Sequence, residues 1–303
     1  VRYGICIPQF VPDGFDPAAF RDYLRRAEEL GFESAWTQEQ HLGDKPILGA
    51  VEVMTYAAAC TERIRIGCSV FVTPLHQPVE LAKSLSTLDQ LSQGRLEVGV
   101  GTGGNRRPFG AFGITADGLV ARFNEHLRIM RALWREQRVT IDGRFWQLEN
   151  AMMEPKPVQA GGPPVWFGGS APAALKRAVQ HGDGFFGAGS TTTAKFAEQV
   201  KIVREEAAAA GRDDFPIAKR VYIAVDDDTA VAKERMRIAL DEIYHGFGLP
   251  DLTPVSVFGT PEECVAGLRA VAEAGAERIL VNPLFDQREQ MERLSADVLP
   301  HVS

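Results

Sequence analysis

Cysteine is scarce in this 303-residue chain, and Cys6, Cys60, Cys68 and Cys264 show no paired spacing. Cys6 and Cys68 fall inside apolar strand-like runs, so buried reduced thiols are expected and a disulfide framework is not. No uninterrupted apolar run reaches the ~20 residues that a bilayer-spanning helix needs. The chain opens directly on a strand-like segment, VRYGICIP, without a leader, which predicts a cytoplasmic protein. His41, His76, His126, His181, His245 and His301 lack the short spacing of metal ligands; no metal site is expected, and most should sit in loops or on the surface. A G-x-S-x-G nucleophile elbow is missing as well. Positive charge is also in short supply: the net charge of -7 disfavours nucleic acid or an anionic membrane as the main partner. One phosphorylated small molecule stays open, because a few backbone amides suffice to hold it.

What the chain has in abundance is alternation of strand and helix signals. With 45% apolar and 24% charged residues it has the material for a substantial core. The clearest unit lies between Arg63 and Gly104. Ile64, Ile66, Cys68 and Val70 make one strand, and Leu96, Val98 and Val100 make another. Between them Leu81, Leu85, Leu88 and Leu91 recur as one buried helix face. Two parallel strands joined by a crossover helix form a βαβ unit. Further strands are expected at 2–8, 34–37, 165–168, 184–187, 220–225 and 278–281. Helices are expected at 17–30, 51–60, 120–137, 172–181, 194–210, 229–244 and 288–298. Phe123, Leu127, Met130 and Trp134 share one face of the helix at 120–137. Thr260-Pro261-Glu262-Glu263 reads as a capping box opening another helix. A hairpin turning at Asp142-Gly143 and a Pro/Gly-rich connector, EPKPVQAGGPP, interrupt the series near 139–163. The series predicts an α/β fold, a (β/α)8 TIM barrel with insertions forming a single domain over 1–303. An open doubly wound sheet is the alternative, since counting strands does not establish closure.

In parallel α/β folds ligands gather at the carboxyl ends of strands. The second strand ends in Trp36-Thr37-Gln38-Glu39-Gln40-His41. His41 suits proton exchange near neutral pH, with Glu39 orienting it or acting as a carboxylate base. Taken alone, this segment fits a hydrogen-bonded structural histidine slightly better. The fourth strand ends in Gly99-Val100-Gly101-Thr102-Gly103-Gly104, where glycines would let a flat ring approach the backbone. A tight strand-to-loop turn is the rival reading, and no Lys-Ser/Thr follows as in a P-loop. Arg106 and Arg107 are placed to meet an anionic tail or simply water. Val165-Trp166-Phe167-Gly168-Gly169-Ser170 delivers amides to a helix N-terminus, the strongest anion signal in the chain. Gly187-Ala188-Gly189-Ser190 supplies a second such loop. Phe109, Phe112, Phe247 and Phe258 hint at an apolar or planar substrate, although phenylalanine more often packs than recognises.

Taken in order, several fragments resemble the bacterial luciferase-like superfamily of flavin- and deazaflavin-dependent oxidoreductases. They are Ala27–Trp36 leading to His41, Arg65–Val70, Gly94–Gly103, Pro164–Gly169, Gly182–Phe185 and Gly259–Glu263. The resemblance implies a barrel, a homodimer and an isoalloxazine-like ring in the barrel mouth. It implies that His41 and Gln40 lie near the ring and that a non-prolyl cis bond at Ser69–Val70 forms a bulge behind it. Thr102 and Gly103 would flank the ring, and Gly168, Gly169, Ser170 and the Gly187 loop would hold the phosphate. Arg106 and Arg107 would reach a polyglutamyl tail. The chain is more similar to the branch that uses coenzyme F420 than to the oxygen-activating luciferases. It departs from the sugar-phosphate dehydrogenases at Gln40 and Gly104, where they carry Asp and Glu. The expected activity is hydride transfer between F420 and a small organic substrate. An FMN-dependent monooxygenase and a non-catalytic flavin-binding barrel are the alternatives.

Overall fold

Strands that are apolar on both faces belong in parallel sheets covered by helices, and nearly every strand here has that character. The computed structural model describes residues 1–104, 108–245 and 251–302. The strands are β1 (Arg2–Cys6), β2 (Ser34–Thr37), β3 (Arg65–Val72), β4 (Leu96–Gly101), β5 (Val139–Asp142), β6 (Gln147–Ala151), β7 (Val165–Gly168), β8 (Gly184–Gly187), β9 (Ile217–Val225), β10 (Val257–Gly259) and β11 (Arg278–Asn282). The helices are α1 (Pro17–Glu29), α2 (Ala50–Cys60), α3 (Pro78–Leu91), α4 (Leu119–Arg135), α5 (Pro172–His181), α6 (Thr193–Ala209), α7 (Thr229–Tyr244), α8 (Pro261–Glu273) and α9 (Gln287–Arg293). Strand neighbours run β9-β11-β1-β2-β3-β4-β7-β8, and β8 pairs back onto β9, so the eight-strand series closes. That is the (β/α)8 barrel, and the open doubly wound sheet is excluded. The three-residue β10, unsignalled by any apolar run, adds parallel to β9 outside the closed series. A π-helical turn, Leu294–Val298, continues α9.

The chain forms two compact units. The first comprises Val1–Pro8, Pro17–Trp36 and everything from Phe167 on; the second comprises Gln9–Asp16 and Thr37–Trp166. In the first unit, Ile5, Phe185, Ile217, Ile223, Ile279 and Val281 are fully buried. Trp36 packs edge-on to Phe186 at 4.9 Å. The capping box forms as its sequence dictates: Thr260 Oγ1 accepts from the Glu263 amide, and Glu263 Oε2 accepts from the Thr260 amide at 2.8 Å.

In the second unit the β3–β4 ladder shifts register between Cys68 and Phe71, and the Ser69–Val70 peptide there is cis. Leu81, Leu85 and Leu88 of α3 are buried, but Leu91 is 59% exposed. At 100° per residue, ten residues carry Leu91 about 80° around the helix from Leu81, off the buried stripe. Phe123, Leu127, Met130 and Trp134 do form one buried face of α4. The inserted hairpin is fixed by one carboxylate: Glu125 of α4 accepts from the amides of Arg144, Phe145 and Trp146 at 2.9–3.0 Å. The connector is fixed by Asp89, which accepts from the Gln159 amide at 3.0 Å and its side-chain nitrogen at 2.8 Å. All four cysteines are buried, and none is joined in a disulfide. Among the described residues no helix is long and apolar enough to cross a membrane.

Candidate active site

The second unit gathers the side-chain chemistry. Beyond β2 the chain is held by Gln9, whose amide nitrogen donates to the carbonyls of Gln38 (3.1 Å) and Leu48 (3.0 Å). Its oxygen accepts from the Gln38 amide at 2.7 Å. Thr37 Oγ1 donates to the Gly67 carbonyl of β3 at 3.2 Å. This bracing turns Glu39 inward. Its Oε2 accepts from the Val72 amide at 2.7 Å, and its Oε1 meets His76 Nε2 at 2.7 Å and His41 Nε2 at 3.4 Å. Burial alone would raise the Glu39 carboxyl, but the hydrogen bonds from His41, His76 and Val72 outweigh it and hold the group down to about 2. A carboxylate that weakly basic orients its neighbours and is a poor proton acceptor. His41, the most exposed of the three, has its ring 5.2 Å from that of His76 and 5.3 Å from Phe112.

His76 is the residue that spacing along the chain failed to select. It follows the short 3-10 turn Thr73–Leu75 after β3, whereas Glu39 and His41 follow β2. Only the adjacency of two strand exits brings them together. The donor atoms of Glu39, His41 and His76 lie within 4.8 Å of one another, a spread that would also suit a divalent cation. Here those atoms satisfy one another through hydrogen bonds. His126 departs further from expectation: it is fully buried on α4, and neither ring nitrogen has a hydrogen-bond partner. Burial first, then positive charge on His76 and Arg122, pushes its ring down to about 3.

Two glycines at the end of β4 serve packing. A Cβ on Gly99 would strike the Cys68 carbonyl, and one on Gly101 would sit 2.9 Å from Val70, so both glycines accommodate the β3 bulge. Gly99, Gly101 and Gly104 have the spacing of a dinucleotide turn, but the next α-helix begins only at Leu119. Thr102 and Gly103 are half-buried, with Gly103 at φ 73°. Ser69 and Val70 are half-buried too, and the Gln40 side chain lies against Gly43, where any added Cβ would strike it. Phe109 packs with Val72 and Leu75 as core. Arg106, Arg107 and Phe247 lie outside the described residues.

The first unit gathers backbone chemistry. Gly168 and Gly169 are half-buried and Ser170 is exposed, directly ahead of α5 with Pro172 at its first position. Among the described residues, the amides of Gly169, Ser170 and Ala171 donate to no backbone carbonyl. After β8, Gly187 and Gly189 are fixed by rings: a Cβ would meet Phe196 at 2.7 Å in one and Tyr222 at 2.8 Å in the other. The loop they begin is held by Lys219, a buried β9 residue missed in the sequence because it sits in an apolar run. Its Nζ donates to the carbonyls of Ala188 (2.6 Å), Thr191 (2.9 Å) and Arg220 (3.1 Å). Burial, then Arg220, pushes the ammonium down to about 7, while three carbonyl acceptors favour its charged form.

A family model described as luciferase-like monooxygenase matches residues 1–248. An F420-dependent glucose-6-phosphate dehydrogenase from Kineococcus radiotolerans is 27% identical over 316 aligned residues, covering 94% of this chain and 93% of that protein. Among solved structures, the monooxygenase RslO1 from Streptomyces bottropensis superposes with a TM-score of 0.86 at 24% identity, covering 100% of both chains. The coenzyme F420 dependent tetrahydromethanopterin reductase from Methanopyrus kandleri gives 0.84 at 21%, covering 100% of this chain and 99% of that one. At such identities these two establish the fold alone, and the family match establishes kinship: the chain belongs to the luciferase-like monooxygenase family.

Proposed function

We propose that this protein is an F420-dependent oxidoreductase that moves a hydride between the deazaflavin and a small organic substrate. The observation that carries the proposal is the Glu39-anchored His41, a proton-exchanging group held by an anionic neighbour. Near-full-length similarity to an F420-dependent dehydrogenase supports the choice of cofactor. The residues present fit such a group: half-buried backbone at Ser69, Val70, Thr102 and Gly103 suits a flat ring, and the amides of Gly169 and Ser170 suit a phosphate.

When bound, the deazaflavin supplies two-electron hydride chemistry. His41 takes up the proton that a substrate hydroxyl loses as its hydride leaves, or returns it in the reverse direction. Because Nε2 faces Glu39, the exchange takes place at Nδ1. Glu39 orients the ring and stabilises the imidazolium without itself taking the proton. Gln40 and Gly104 put no carboxylate where the sugar-phosphate dehydrogenases have one, so a sugar phosphate is not the proposed substrate. A homodimer and a cytoplasmic setting belong to the same reading, supported by the family resemblance; light scattering tests the first.

Titration of the purified protein with F420 and with FMN, followed by fluorescence, tests the assignment. Saturable quenching by F420 with negligible FMN binding is expected. The reverse result would replace it with an FMN-dependent monooxygenase.

A further inference from the structure

Glu39 offers one oxygen to two rings. Oε1 is 2.7 Å from His76 Nε2 and 3.4 Å from His41 Nε2, while Oε2 is engaged by the Val72 amide. The nearer imidazole is also the more enclosed, its side chain 19% exposed against 34% for His41 and 4% for the carboxylate. In such an arrangement the closer N–H draws most of the oxygen's charge, and the farther ring receives what is left.

We propose that His76 is a positioning residue for His41: by donating Nε2–H to Glu39 Oε1 it aims the carboxylate and divides its single negative charge between two rings, which sets how firmly His41 keeps its proton. This rests on His41 being the proton-exchanging residue. The Glu39 carboxylate is an anion that both rings address. From the β2 exit His76 meets Glu39 and His41; from its own segment it meets Phe71 in a T-shaped contact, with ring centroids 6.1 Å apart. From α4, His126 feels the charge of His76 and of Arg122, and Arg122 is stacked over Phe145 at 4.6 Å and Trp146 at 4.9 Å. His76 itself is fixed from behind, its amide donating to the Thr73 carbonyl at 3.0 Å.

The test is an NMR titration of the His41 ring in the wild-type protein, His76→Leu and His76→Gln, run beside the pH profile of turnover. His76→Leu removes the competing donor, so the His41 midpoint should rise by about one pH unit, a tenfold gain in proton affinity. The pH limb of turnover that His41 governs should move with it. His76→Gln keeps an N–H within reach of Oε1 and should restore the wild-type midpoint to within a few tenths of a unit. An unmoved midpoint in His76→Leu overturns the inference, as does a shift in His76→Gln equal to that in His76→Leu. Should the leucine variant not fold, Glu39→Gln serves: it must lower the His41 midpoint, and an unchanged value sinks the charge-sharing idea. If the midpoint moves as expected while turnover keeps its pH profile, His76 tunes His41 as inferred and the assignment of His41 to turnover fails instead.

Discussion

The exits of β2 and β3 carry their chemistry on side chains, whereas the exits of β7 and β8 carry it on backbone. At the first pair, a buried carboxylate gathers two imidazoles and a peptide N–H around itself. At the second, glycines and a serine leave amides ahead of α5, and a buried lysine restrains the neighbouring loop through its carbonyls. The contrast separates two tasks. Side chains with shifted proton affinities suit a reacting centre, while uncharged amides suit an anion that must be held and not altered. Substitutions at the two places should therefore fail in different ways.

The largest difference should come from His41→Ala. If His41 exchanges the proton, kcat falls by about 10²- to 10⁴-fold, and the affinity for F420, read by fluorescence quenching, stays near wild type. A weakened cofactor affinity with little change in kcat would place His41 in the same class as the backbone loops and erase the distinction.

His126 sharpens the comparison through pH and stability. It sits on α4 in the side-chain unit, fully buried, with no hydrogen bond at either ring nitrogen. Its proton affinity is depressed from the ordinary 6.5 to about 3 in the folded protein, through burial first and then His76 and Arg122. A histidine depressed in this way binds its proton more readily when unfolded. Its share of stability is complete above 6.5 and is lost as pH falls from there toward 3. The loss has an upper slope of about 1.4 kcal/mol per pH unit. His126→Leu removes the titrating group without orphaning a partner, so the drop in Tm between pH 7 and pH 5 should shrink. An equal drop in both proteins would mean that acid acts elsewhere.

Lys219→Met probes the backbone side. Without its ammonium the Ala188 and Thr191 carbonyls lose their donor, at a cost of ~1–3 kcal/mol for groups left unsatisfied. The loop between them then loosens. The Kd for F420 should rise about tenfold, the ~1.4 kcal/mol of one lost restraint, while a deazaflavin lacking the phosphate binds as before. Equal weakening for both ligands would show that the loop serves the ring and not the anion.

The two regions also differed in how much the sequence disclosed. The β7 exit was legible because its signal is contiguous: strand, two glycines, serine and helix follow within one stretch, and local backbone rules suffice. Glu39 and His41 were legible for the same reason. His76 was not, because its partner lies 37 positions away and meets it only once β2 and β3 are neighbours. Two glycines at the end of β4 show the same limit. They read as room for a ligand, yet Gly99 and Gly101 answer to a bulge on the adjacent strand, which only pairing reveals. His126 and Lys219 were hidden by composition, since a polar residue inside an apolar helix face or strand gives no local sign of its burial.

The Thr260 cap marks the opposite extreme, an element written entirely in four consecutive residues. Thr260 and Glu263 exchange backbone and side-chain hydrogen bonds at the start of α8, and Pro261 lacks the amide that position would leave unsatisfied. Glu263 also accepts from the Thr229 hydroxyl, and its carboxyl is held below the usual range, first by that bond and then by the Thr260 amide. Thr260→Ala removes one half of the box and should cost about 1 kcal/mol, read as a fall in Tm of about 2 °C in a chain of this size. Neither kcat nor cofactor affinity should move, because the cap stabilises a helix and touches neither the histidine cluster nor the amide loops. A larger loss, or any change in turnover, would mean that a purely local motif is coupled to the chemistry after all. The line between what neighbouring residues decide and what strand pairing decides would then have to be redrawn.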